Sequence, residues 1–328
     1  MNNLSLSYAG HLADRVQPLY DGTVRPKGID LHFSPLIPVE AFSRVLRGEF
    51  STGEMSFSTM IIKVSRGEFP FVAIPVFPAR TFRHGAIYVN NAAGISSPQD
   101  LIGRRVGVPE YGMTAAVWAR GLLKHEYGVS EESINWVTGG LTGPGRKPLV
   151  NLELPKIKLE RETERGLNDL LLAGDIDALI APQVPPALLA GDPRVSYLFP
   201  DVPAVEREYF KKTGIFPIMH VVVIRRDVYD RDPWVATNLY EAFEQAKNQC
   251  LSDLAIEEPA RVTLPWFHHH VTAAKRLFGE DFWPYGVEPN RPTIEALCNF
   301  LFEQEITPRL VSVDELFPEN FMSPAARL

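Results

Sequence analysis

The sequence predicts an α/β protein of two lobes, with largely parallel sheets and a ligand cleft between them. Three observations predict this. Apolar strand-like runs alternate with helical patterns along the chain, which selects parallel sheets joined by crossover helices. The stretches 71–89 and 196–226 are apolar enough to read as crossovers from one sheet to the other and back. Polar or glycine-bearing turns follow the strands at Gly10–Arg15, Ser56–Ser58, Arg80–His84, Tyr111–Thr114, Thr138–Gly140, Pro182–Gln183 and Thr213–His220. Those are the carboxyl ends at which open α/β sheets bind ligands. The division that follows is 1–87 for the first part of lobe I, 88–198 for lobe II, and 199–328 for the return to lobe I with C-terminal helices.

Leu4–Ala9 alternates apolar and polar residues, the period of a half-buried strand, and breaks at Gly10. Ile29–Phe33 predicts a second strand and Val39–Arg47 a helix stopped by Gly48. Glu54–Ser58 predicts a third strand with Ser56 and Ser58 on one face, and 71–77 and 86–89 two more. Ser97, Pro98 and Asp100 form a helix start: a serine cap, proline in the first turn, and an acid at the third position. Strand 105–108, helix 113–126 and Gly128 make a β-α unit, and 134–137 a further strand. Residues 139–160, rich in Gly, Pro and Lys, predict a long loop or an irregular hairpin. Helix 164–173, strand 177–181, strand 195–199, a helix over 205–212 and strand 220–226 follow. After Asp232-Pro233, Val235, Leu239, Phe243, Ala246 and Cys250 recur at spacings of three and four, a helical stripe. Helices at 268–279 and 292–304 complete the chain.

With 45% hydrophobic and 22% charged residues in 328, the chain is an ordinary globular protein with room for two lobes. A net charge of −7 argues against general affinity for nucleic acid or anionic membranes, so an anion site here needs a local positive field. No stretch reaches the roughly 18–20 continuous apolar residues of a membrane span. The N-terminal stretch lacks the basic and long apolar regions of a secretory signal, so a cytoplasmic protein is expected. Cys250 and Cys298 form no CxxC and read as reduced packing residues.

Arg80, Arg83 and His84 stand in an otherwise apolar crossover. Two guanidinium forks and an imidazole suit an anionic ligand; paired surface arginines are the structural alternative. Tyr111, Gly112, Met113 and Thr114 lead into a helix whose first N–H groups could bind an anion, or form only its cap. His220 opens an apolar strand, as a core histidine or as an acid–base group. The run His268-His269-His270 is a poor metal site, because neighbours on a helix point about 100° apart. The Gly139–Gly145 run lacks the Lys-Ser/Thr of a phosphate loop.

Several phrases together resemble a known family. Pro75-Val-Phe-Pro78, Phe82-Arg-His84, Leu101–Ala115, Trp118–Gly121, Thr213–His220, Pro233-Trp234, Leu239–Lys247 and Asp281–Arg291 are similar to the 4,5-dihydroxyphthalate decarboxylases, nearly end to end. The resemblance implies a type II periplasmic-binding-protein-like fold and non-oxidative removal of CO2 from a hydroxylated aromatic dicarboxylate, chemistry that needs no redox cofactor; no cofactor and no metal ligand are assigned. A small aromatic carboxylate is then the partner; the sequence leaves a homo-oligomer open. The site it implies has Arg80, Arg83 and Arg15, the 113–115 amides, and Ser56, Ser58, Tyr111, Gly112 and Thr114 on the substrate. His84 or His220 supplies the proton, and Asp14 or Glu54 handles the hydroxyls. The chain departs from the family pattern at Val16-Gln17, where Thr-Arg is expected, and at Glu303-Gln-Glu-Ile306, where Gln-Gly is expected. The competing reading is a solute-binding protein with the same lobes and anion site but no turnover. A third, a pyrimidine-precursor enzyme, lacks its histidine- and cysteine-bearing motifs here.

Overall fold

The computed structural model describes residues 3–256, 258 and 261–322. Its strands are β1 (Leu4–Gly10), β2 (Ile29–Pro35), β3 (Thr52–Ser56), β4 (Phe71–Arg80), β5 (Ile87–Asn90), β6 (Arg105–Val108), β7 (Asn135–Thr138), β8 (Leu159–Arg161), β9 (Ala178–Ile180), β10 (Val195–Tyr197) and β11 (Ile218–Arg225). They form two sheets, ordered β2-β1-β3-β11-β4 and β10-β5-β9-β6-β7-β8. Only β11 and β5 run against their sheets. The chain leaves the first sheet after β4, builds the second from β5 to β10, and returns as β11 between β3 and β4. This is the two-sheet α/β architecture that the alternating pattern predicts.

A continuous apolar core joins both sheets, and a smaller cluster around Leu167, Leu170, Leu171 and Ile176 lies beside the second. The helix Thr114–Tyr127 is the bolt between them. Every residue from Thr114 to Leu123 is buried, and Gly128, at φ 70°, closes it in the left-handed conformation that glycine adopts without strain. Trp118 donates its indole N–H to the carbonyl of Ile218 in β11 at 3.0 Å, so a helix that follows β6 is hydrogen-bonded to the first sheet.

Two local expectations fail. Residues 57–65 form a helix, not the end of a strand: β3 stops at Ser56, whose hydroxyl caps the helix by accepting from the Thr59 N–H. Seven of that helix's nine residues are buried, so it has no polar face to betray its period. Leu159–Arg161, assigned in sequence to the edge of a loop or irregular hairpin, pairs in parallel with β7.

Candidate functional site

Between the two sheets lies a cavity of about 450 Å³. From the first sheet's side it is lined by Phe42, Ser56, Thr59, Met219 and His220; from the second sheet's side by Glu110, Met113–Ala115, Gly139–Leu141, Arg146 and Gln183. Arg83, in the crossover between sheets, completes the wall.

His220 reaches this cavity because β11 is irregular there. Its pairing with β4 jumps from Ala79 opposite His220 to Ile74 opposite Val222, across a stretch containing Pro75 and Pro78. Proline has no N–H to give the ladder, and such a break re-aims the side chain beside it. On the other side of β11, in β3, Glu54 pairs with Val222 and Ser56 with His220, so Glu54 sits one diagonal step from the histidine. The Glu54 carboxylate lies 3.0 Å from His220 Nδ1 and accepts the His11 backbone N–H at 3.1 Å through its other oxygen. Glu54 is almost wholly buried, while the imidazole keeps 17% of its side-chain surface. Phe42 packs edge-on against the ring at 4.8 Å. The result is an imidazole oriented by a buried carboxylate, with its far side toward the cavity.

Facing it are hydroxyls and amides. Thr114 Oγ1 lies 2.9 Å from Ser56 Oγ and 3.0 Å from Ser58 Oγ, and accepts the Ser58 N–H at 3.1 Å. Ser58 in turn donates to the Gly112 carbonyl at 2.7 Å. Ser56 and Ser58 are therefore neighbours as a helix cap and its second residue, not as alternate positions of a strand. The cluster pins the start of the Thr114–Tyr127 helix against the first sheet. Among the described residues the N–H groups of Thr114 and Ala115 have no acceptor, and both residues line the cavity. A helix start with free amides favours an anion.

The arginines divide. Arg83 is 7% exposed and gives its Nε–H to Met219 Sδ at 3.2 Å, leaving its terminal nitrogens without a hydrogen bond among the described residues. Burial pushes it down to about 10, so it remains a cation. Arg80 does not reach the cavity. Its fork is spent on the carbonyls of Phe216 at 3.2 Å and Pro284 at 2.7 Å and on the Asn290 side chain, binding the 284–290 turn to β4. Burial lowers it to about 9. Arg15 stacks over Trp283 at 4.3 Å and donates to the Pro78 carbonyl at 2.6 Å, with Asp14 beside it and mostly exposed. Neither lines the cavity.

His84 is also elsewhere. It is 1% exposed, wedged between the rings of Phe199 and Tyr209 at 5.3 Å each, and burial pushes it down to about 4. A histidine that neutral cannot deliver protons near pH 7. Tyr111 and Gly112 shape the turn from outside: the Arg120 guanidinium lies over the Tyr111 ring at 3.7 Å and binds its carbonyl at 2.7 Å. Val16 is core and Gln17 begins the short helix Gln17–Tyr20, so that departure from the family pattern lies away from the cavity. Gln304, at the other departure, is buried between Arg120 Nε at 2.8 Å and the Val117 carbonyl at 3.0 Å. Among the described residues no group of three His, Cys, Asp or Glu side chains could hold a metal ion.

Sequence reasoning missed Glu110, Arg146 and Phe42, whereas Gln183 stood among the strand-end turns expected at the cleft. Glu110, next to the singled-out Tyr111, was the one within reach of the motif; the others arrive from distant elements.

No family model matches the chain. It is 38% identical to a 4,5-dihydroxyphthalate decarboxylase of Comamonas testosteroni over 320 residues, 97% of each chain. It is 39% identical to a second, from Pseudomonas putida, over 215 residues, 64% of this chain and 83% of that one. Among solved structures it resembles the alkanesulfonate-binding protein SsuA of Xanthomonas axonopodis pv. citri, at 11% identity and TM-score 0.56 over 97% of this chain and 99% of that one. It also resembles the desulfurization enzyme DSZB, at 14% identity and TM-score 0.55 over 98% of both chains. At such identities these two establish the periplasmic-binding-protein-like fold alone.

Proposed function

This chain belongs to the 4,5-dihydroxyphthalate decarboxylase family, and we propose that it removes CO2 without oxidation from a hydroxylated aromatic dicarboxylate, 4,5-dihydroxyphthalate, to give protocatechuate in phthalate degradation. The observation that carries this reading is the His220–Glu54 pair on the same cavity as the free Thr114 and Ala115 amides and Arg83. The amides, the Thr114 and Ser56 hydroxyls and Arg83 receive the carboxylate that stays. The hydroxyl para to the departing carboxylate gives up its proton to solvent water, from which the phenolate later regains one, as electron density moves to the carbon bearing that carboxylate. This carbon takes a proton from the His220 imidazolium, which Glu54 orients and compensates. The electrons of the C–C bond return to the ring as CO2 leaves, and the phenolate regains a proton. One proton is consumed and one CO2 released, with no redox change.

We place the lobe boundaries at 87/88 and 198/199; the passage of the chain from β4 to β5 and from β10 to β11 supports this, with the first boundary one residue inside β5. A cytoplasmic setting fits Cys250 and Cys298, both buried and unpaired. The test is to mix purified protein with 4,5-dihydroxyphthalate, with and without chelator, following CO2 and the ultraviolet spectrum. Catalytic CO2 with protocatechuate is expected in both arms. Heat of binding without CO2 would mean a receptor on the same fold.

A further inference from the structure

The glycine run 139–145 acquires a purpose in three dimensions. Its backbone folds on itself too closely for side chains: a Cβ on Gly140 would lie 2.3 Å from the Gly143 carbonyl oxygen, and one on Gly145 3.1 Å from Gly139 Cα. This tight fold delivers the next residue, Arg146, to the boundary between the cavity and a second one of about 400 Å³. There the guanidinium lies 2.6 Å from Glu110 Oε2, while Glu110 Oε1 accepts the Leu149 N–H at 3.0 Å. Glu110 is buried, but the Arg146 side chain is 37% exposed. Besides Glu110, among the described residues its guanidinium makes only a long hydrogen bond, 3.4 Å, to the Lys147 carbonyl, so it keeps donors to offer. Glu110 is also joined to the helix start, since its carbonyl accepts the Met113 N–H at 3.2 Å. Arg146 and the free amides of Thr114 and Ala115 thus belong to one wall, and Arg83 comes from the crossover. One arginine suffices for a monoanion; two on one cavity match a dianion.

We propose that Arg146 binds the carboxylate that the substrate has and the product lacks, making the cavity selective for aromatic dianions over monoanions. This rests on the decarboxylase reading for the identity of the dianion. Glu110 compensates Arg146 before binding and again once the carboxylate has left as CO2, so the loss of the ligand charge leaves no unpaired cation. The monoanionic product then keeps only the amides, hydroxyls and Arg83, and leaves readily.

The experiment titrates phthalate and benzoate calorimetrically into wild type, Arg146→Gln and Arg146→Lys, and measures KM for 4,5-dihydroxyphthalate and inhibition by protocatechuate. Wild type binds phthalate more tightly than benzoate. Arg146→Gln weakens phthalate and raises KM by roughly tenfold or more, the worth of a charge-assisted hydrogen bond, while benzoate and protocatechuate shift by less than about twofold. Arg146→Lys falls between, keeping the charge without the fork. Equal weakening of both acids, a surviving preference in Arg146→Gln, or a wild type that does not prefer phthalate overturns the proposal. Should wild type select phthalate through Arg146 yet release no CO2 from 4,5-dihydroxyphthalate, the dianion site stands and the decarboxylase reading falls. Turnover with an unchanged KM in Arg146→Gln is the reverse case.

Discussion

Replacing Glu54 by glutamine keeps the shape of a buried side chain and removes its charge. In the native protein Oε2 lies 3.0 Å from His220 Nδ1 and Oε1 accepts the His11 N–H at 3.1 Å. The glutamine oxygen can take over the His11 contact, which turns the amide N–H toward Nδ1. Nδ1 must then accept, and the protonated imidazole loses both its partner and its counter-charge. A hydrogen bond to a charged group is worth about 1.5–3 kcal/mol. At 1.36 kcal/mol per decade, that predicts a fall in kcat of roughly 10- to 150-fold. The volume is unchanged and Phe42 still packs on the ring, so the denaturation midpoint should hardly move. The assay is initial CO2 release at saturating 4,5-dihydroxyphthalate, with a urea titration of the same preparation. A folded Glu54→Gln protein with kcat within about twofold of wild type would refute the dyad.

Three further outcomes follow from residues off the cavity. His84, held at about 4 against 6.5 unfolded, is neutral in the fold while the unfolded chain takes up a proton between those values. Stability therefore falls as pH drops through that window and levels off below it, by up to about 3 kcal/mol from this group; urea midpoints at pH 7 and 4.5 should converge in His84→Phe relative to wild type. Arg80→Ala leaves the Phe216 and Pro284 carbonyls and Asn290 without their donor and should cost about 3 kcal/mol or more in urea denaturation, with KM of the folded enzyme little changed. Gly121→Ala would put a Cβ 2.1 Å from the Phe300 ring, so the C-terminal helix Arg291–Glu303 must shift; a loss of roughly 1–3 kcal/mol by thermal melting is expected.

How much of this was legible depended on how local each signal was. The helix Thr114–Tyr127 announced itself through its polar entry and Gly128, and the crossovers through apolar runs that continue past a single strand. The helix Phe57–Ser65 did not, because Thr59, Ile61, Ile62 and Val64 are β-branched and its faces are nearly all buried, erasing the periodic contrast. Arg80, Arg83 and His84 read as one patch, yet the end of β4 and the turn His84–Ala86 send them to different places. Arg80's acceptors lie 136 to 210 residues away, a separation that no local pattern encodes. His220 was visible as a strand-end histidine, but its aim depends on the irregular pairing beside Pro75 and Pro78. Arg146 was hidden in a loop whose path only the packed glycines define.

The most direct measurement compares wild type with His220→Asn for CO2 release from 4,5-dihydroxyphthalate, with binding of the same acid followed by calorimetry. Loss of a positioned proton donor should lower kcat by roughly 10²- to 10⁴-fold and leave the dissociation constant nearly unchanged, since the amides, hydroxyls and arginines remain. Full turnover by His220→Asn would contradict the account.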